Sequence, residues 1–252
     1  MIGLRNLYKV FQETRKSARE HATLAVTGDS PRAAEIATAL GAQREVRGAE
    51  IILTVLDGGE RITLSGKAVE DPDDLNISSA GGQDLLGELA PKIVRALDED
   101  YLVPLGRGYP GFRRAVCDEV IRKNARQNAF IGALPIPGAD MPVMTANQGR
   151  MVLNLAAIYG EELSLDRARE LLGVLAAGFG FRALGRQVVK LVPVGGWAAA
   201  SVIGYAGTLA MGRATMLYFE RGKQEVGQKE MSEIKQRAIK EAEAFVSRLR
   251  NR

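Results

Sequence analysis

Apolar and polar positions repeat with two different periods along this chain, and the change of period divides it. In the first part, short apolar runs flank one helical stretch. "ATLAVT" (22–27) is apolar and β-branched and predicts a strand. "GDSPRAAEIATALG" (28–41) follows with helical spacing, with Ser30 placed as an N-cap, Pro31 at the first helical position and Gly41 as the stop. "EIILTVLDGGE" (50–60) predicts a second, more buried strand that ends in an Asp-Gly turn, and "RITLSGKA" (61–68) a third. Strand, helix, strand in that order implies a small parallel α/β unit whose two faces both need cover.

The stretch "VEDPDDLNISSAGGQD" (69–84) is polar, acidic and rich in turn residues, and reads as a loop. Beyond it the period is helical, predicting helices over 84–97, 110–130, 141–159, 165–190, 197–220 and 232–250. A further basic amphipathic helix is predicted over 3–20, with Leu4, Leu7, Tyr8 and Phe11 on one side. The expected fold class is therefore α+β, mostly α: a small α/β module over 1–80, N-terminal helix included, followed by a helical domain over 84–252.

Composition narrows the chemistry. One cysteine, Cys117, cannot form an internal disulfide, which points to a reducing, cytoplasmic setting. One histidine, His21, leaves little material for a histidine-based metal site or a catalytic triad. The stretch "MIGLRNLYKVFQETRKSAREHA" lacks the apolar core of a secretory signal, so none is expected. A formal net charge of +4 suits an anionic membrane surface or an acidic partner as well as nucleic acid. On the basic helix 110–130 nothing aromatic is interleaved except Phe112 and Phe130 at its ends, so base stacking has no platform, which argues against nucleic acid binding through 107–126.

Motifs remove further classes. After the first strand "GDSPR" offers a lone Gly28 and no phosphate-cradling GxxxxGK[ST], and Pro31 lacks an N–H donor. GTP hydrolysis is thus not expected, nor any bound cofactor. Asp71, Asp73 and Asp74 lack further ligands at cation-binding spacing and read as a solvated loop. The Gly-x-Gly pairs at 106–108 and 178–180 follow no strand, and Lys67 after Gly66 completes no motif.

Four polar residues stand out as candidates. Asn124 and Asn128 lie four apart on one helix face and read as a buried pair bonding neighbouring loops. Asp140 precedes an apolar-periodic run and is expected to cap its free N–H groups, with Pro142 early in the helix. Gln148 then falls on the apolar face with Met144, Met151, Leu155 and Ile158, where an amide must find partners. Residues 191–212 carry no charge, but Pro193, Gly195 and Gly196 interrupt them, leaving an uncharged helix short for a membrane span. Gly196, Ala200, Gly204, Thr208 and Gly212 recur every four residues as a smooth stripe for close helix approach, within the chain or between copies.

From about Tyr101 to Gly222 the chain resembles the uncharacterised helical domain family (DUF697-like) of YcjF-type inner-membrane proteins and Era-like GTPase C-terminal appendages. The resemblance lies in "LGRGYPGFRRAV", "NARQNAFIGALPIPGADMPVMTANQGRMVLNLAAIYG", "LAAGFGFRALGRQ" and "LVPVGGWAAASVIGYAGTLAMGRATMLYFERG". It implies membrane association at the inner face of the cell membrane and a link to GTPases, and it carries over no catalytic residue. "GAEIILTVLDGGE" and "RITLSGKAVEDPDDL" look like two strands of an Era-like GTPase, the second without the guanine-reading Asn and Asp. That implies a degenerate, non-hydrolysing GTPase-like part. The expected function is a non-catalytic, membrane-associated scaffold or GTPase-linked regulator, partnered by a GTPase, another protein, a membrane surface or a second copy. The rival is a soluble nucleotide- or small-ligand-binding protein using a cleft between the two parts.

Overall fold

The structure is a computed structural model that describes residue 12 and residues 20–72, 74–77, 83–133, 140–162 and 197–250. The predicted helices over 3–20 and 165–190 lie outside these residues, Gln12 and Glu20 apart. The rest fall into two compact units, one within Arg15–Glu119 with Ala157–Gly160, the other within Val120–Ala156 and Glu161–Arg252. The architecture is α+β and mostly α, a small sheet followed by long helices.

In the first unit, β1 (Leu24–Thr27), α1 (Pro31–Leu40) and β2 (Ile51–Leu56) form a parallel crossover, with Leu24 opposite Ile51. The helix ends follow from their residues. Ser30 Oγ accepts from Ala33 N at 3.3 Å, and Gly41 ends the helix at φ 66°, a left-handed value that a side chain resists. β3 (Arg61–Ser65) returns antiparallel to β2 through a tight turn in which Asp57 and Gly58 both have positive φ. β4 (Asp74–Asn76) adds an antiparallel edge, so the sheet is mixed, in the order β1-β2-β3-β4.

This edge strand lies in the stretch expected to be a loop; three residues with only Leu75 turned inward are too short to show a period. The expected cover on both faces holds for β1, where Leu24, Ala25 and Val26 are all buried. It fails for β2 and β3, where buried residues (Ile51, Leu53, Val55; Ile62, Leu64) alternate with half-exposed ones, as antiparallel pairing permits.

Helices α2 (Gln83–Arg95) and α3 (Glu99–Gly108) complete this unit, and Leu85, Leu89, Ile93 and Leu97 are buried in it. The sequence reading places no helix over 99–108, where α3 carries Pro104 inside it. Its signal was the cap: Asp98 Oδ1 accepts from Asp100 N at 2.8 Å, with Glu99 and Asp100 at the positive helix end. Gly106 is used for closeness, since a Cβ there would meet Ile158 and Val116 at 3.0 Å.

The second unit is built from long helices: α4 (Arg113–Ala133), which opens in the first unit, α5 (Asp140–Ile158), α6 (Trp197–Glu220) and α7 (Gln228–Arg250). α6 and α7 form an antiparallel hairpin through Gly222 and Lys223, both at positive φ. Ion pairs Arg221–Glu230 (2.6 Å) and Arg213–Glu241 (2.7 Å) and the stacked rings of Tyr205 and Phe245 (4.7 Å between centroids) fix its register. Most of α6 is buried on every side, which suits its uncharged sequence. No helix among the described residues is long and apolar enough to cross a membrane.

Lys67, which completed no motif, has a structural task. Its ammonium lies 3.2 Å from Glu50, and Glu50 Oε2 accepts from Thr23 N at 2.7 Å, tying the start of β1 to the start of β2. Burial works against ionising Glu50, but these bonds outweigh it and hold the carboxyl below its ordinary value. A folded-state pKa that is depressed stabilises above the unfolded value, and that contribution is lost as pH falls through the folded one. Two outcomes follow. The stability advantage of the wild type over Glu50→Gln, read from urea unfolding, shrinks as pH drops below the ordinary glutamate value of about 4.3. Ser30→Ala costs about 0.5–2 kcal/mol by the same measurement, while Ser30→Asn is close to neutral.

Candidate functional site

The polar candidates converge inside the second unit, and close packing makes the convergence possible. Gly132 of α4 faces Ala200 of α6, Gly204 faces Asn128, and Gly212 faces Ile121, so the two helices run antiparallel. A Cβ at Gly132 would lie 2.7 Å from the Ala200 carbonyl, one at Gly212 2.5 Å from the Ile121 side chain, and one at Gly204 would collide with the Asn128 carbonyl. The methyl end of Met144, from α5, closes over both Gly132 and Gly204. Ala200, Gly204, Thr208 and Gly212 thus lie along α6 where α4 approaches; Gly196 is outside the described residues.

At the centre of this seam is Thr208, fully buried. Its hydroxyl donates to the Gly204 carbonyl at 2.8 Å and accepts from Asn128 Nδ2 at 2.7 Å and from Gln148 Nε2 at 3.1 Å. One donated and two accepted bonds exhaust a hydroxyl. Asn128 Oδ1 accepts from Asn147 Nδ2 at 2.9 Å, and Asn147 also reaches the Asn124 carbonyl at 3.4 Å. The network joins α4, α5 and α6.

Asn124 stands beside the network rather than within it. Its Nδ2 donates to the Val120 carbonyl of its own helix at 2.8 Å, and its buried Oδ1 has no hydrogen-bond partner among the described residues. The asparagines therefore bond helices, not the loops expected of them. Periodicity shows which face a residue occupies but not what faces it, and Asn147 and Thr208 had no signal of their own as partners. Asp140 is the first residue of α5, and its side chain lies outside the described set. Of the acidic trio, Asp74 is engaged by Thr63 Oγ1 (2.7 Å) and Arg61 (3.7 Å). No group of His, Cys, Asp and Glu among the described residues could hold a metal ion.

The same unit carries an unusual surface. Phe130 is 55% exposed and Val143 53%, and Leu249 adds a third exposed large apolar side chain. Phe130 and Val143 line one groove of about 480 Å³ with Arg150, while Leu249 and Phe245 line a neighbouring cleft of about 630 Å³ with Arg122, Arg126 and Arg248. The edge-to-face contact of Phe130 with Phe245 (6.4 Å) joins the two into one apolar ridge with arginines along its border.

The family model described as "Domain of unknown function (DUF697)" matches residues 109–244, which takes in the Thr208 network, Phe130 and Val143 but stops before Phe245, Arg248 and Leu249. The chain belongs to the DUF697 family. It is also similar to magnetosome membrane protein 22 of Magnetospirillum gryphiswaldense, 28% identical over 118 residues, 44% of this chain. The chain spans 60% of that protein's length. No solved structure matches.

The seam of this DUF697 domain is testable by substitution. Thr208→Val strands the Asn128 and Gln148 donors and costs about 1–3 kcal/mol, whereas Thr208→Ser keeps the hydroxyl and most of the stability. Gly204→Leu pushes α6 off α4, with a cost of at least the roughly 1–3 kcal/mol of ordinary overpacking. Urea unfolding monitored by circular dichroism reads all three.

Proposed function

We propose that this chain is a non-catalytic scaffold that attaches peripherally to an anionic membrane through the helical unit. The observation that carries the reading is the ridge of Phe130, Val143, Phe245 and Leu249 edged by Arg122, Arg126, Arg150 and Arg248. Exposed aromatic and branched side chains cost free energy in water and gain it at the headgroup boundary, and arginines beside them meet anionic headgroups. The similarity to a protein named as a magnetosome membrane protein agrees with such a location. The non-catalytic part is supported by Thr208, whose hydroxyl is saturated and serves packing. In this role the chain holds a protein partner at the membrane surface, a GTPase on the resemblance of residues 101–222.

Flotation with vesicles tests the reading. The protein binds vesicles of phosphatidylcholine mixed with phosphatidylglycerol, binds phosphatidylcholine alone weakly, and is released by carbonate and weakened by salt. Phe130→Ser with Val143→Ser lowers the partition coefficient by roughly tenfold or more, the loss expected for withdrawing buried apolar side chains. Binding that ignores lipid charge and both substitutions, or that resists carbonate, overturns peripheral attachment.

A further inference from the structure

The cleft beside the ridge has the features of a binding site rather than of bare surface. It lies among α4, α6 and α7 and is lined by Arg122, Arg126, Tyr205, Phe245, Arg248 and Leu249. Its described lining includes one carboxylate, Glu241, held by Arg213 at 2.7 Å, so the positive charge is in excess. Tyr205, only 4% exposed, stands on the wall of this cleft with its ring stacked on Phe245 at 4.7 Å. A phenol on the wall of a cleft can donate to an acceptor that enters it. Burial first, and then the charge of Glu241, push this phenol up from its ordinary value, so it stays neutral and able to donate.

We propose that this cleft binds the phosphate of an anionic phospholipid, with Arg122 and Arg248 on the phosphate oxygens, the Tyr205 hydroxyl donating a hydrogen bond, and Phe245 and Leu249 against the first carbons of an acyl chain. The guanidinium fork matches phosphate geometry and offers paired N–H donors to its oxygens. Phe245 and Leu249 line the cleft and Phe245 also meets Phe130 of the ridge edge-to-face, so a lipid whose phosphate enters here finds apolar surface for its chain along Phe245 and Leu249. That continuity favours a lipid over a free phosphate. The inference rests on the peripheral-membrane reading and adds to it a specific headgroup pocket.

The test uses the full chain with three probes: vesicles carrying phosphatidic acid, dispersed short-chain phosphatidic acid below its micelle concentration, and inorganic phosphate. The wild type binds the short-chain lipid in solution, and inorganic phosphate at millimolar concentration fails to displace it. Tyr205→Phe keeps the ring stack and the fold, and weakens binding of the short-chain lipid about three- to tenfold, the value of one hydrogen bond. Arg122→Gln with Arg248→Gln weakens it by tenfold or more, with an unchanged melting temperature as the control for folding. Short-chain lipid binding that survives all three substitutions overturns the pocket, while continued flotation with vesicles in that case leaves the peripheral reading standing. Displacement by inorganic phosphate at equal affinity overturns the lipid assignment in favour of a free anion. Loss of flotation in Phe130→Ser with the short-chain affinity intact supports a pocket separate from the apolar ridge.

Discussion

The contact of Gly204 with the backbone of Asn128 is the constraint on which the helical unit depends. Two helices carrying ordinary side chains stand 8–10 Å apart. Here no Cβ fits between them at the crossing, and the groups that can reach each other change accordingly. The Thr208 hydroxyl, one turn from Gly204, comes within hydrogen-bond distance of amides on α4 and α5. Met144 can close over the seam with its terminal methyl because nothing longer than glycine occupies Gly132 and Gly204.

Polar groups in such a seam serve alignment more than raw stability. Dispersion would hold small-residue stripes together in several registers, since one step of four residues resembles the next. Thr208 breaks that degeneracy. Only one alignment brings its oxygen to both Asn128 and Gln148, and any other leaves buried donors unpaired at a cost of about 1–3 kcal/mol each. α7 then covers another side of α6 through Tyr205 and Phe245, and this packing also shapes the arginine-lined cleft. Core and surface are thus consequences of the same helix arrangement.

Much of this was legible in particular residues. The Ser30, Pro31 and Gly41 punctuation placed α1 to the residue, and helical spacing placed α6 over 197–220, because caps and periodicity are local properties. α3 was hidden by Pro104 and two glycines, although Asp98 with its acidic neighbours was a start signal. β4 was hidden by its shortness. Gln148, Asn124 and Asn128 were visible as polar residues on buried faces, and the four-residue recurrence of small residues was visible as a place for another helix.

By itself, then, the sequence determined where helices and strands begin, which faces are apolar, which polar groups would need partners, and that residue 31 could not serve a phosphate loop. Those follow from backbone sterics, capping and burial, which act over a few residues. Only the tertiary structure decided that Asn128, Asn147, Gln148 and Thr208 are one network, with Asn124 at its edge. It likewise decided that Phe130, Val143 and Leu249, separated by up to 119 positions, edge one basic surface. The reason is physical: a hydrogen bond or a shared cleft depends on separation in space, and for residues on different helices that is set by how closely the helices pack.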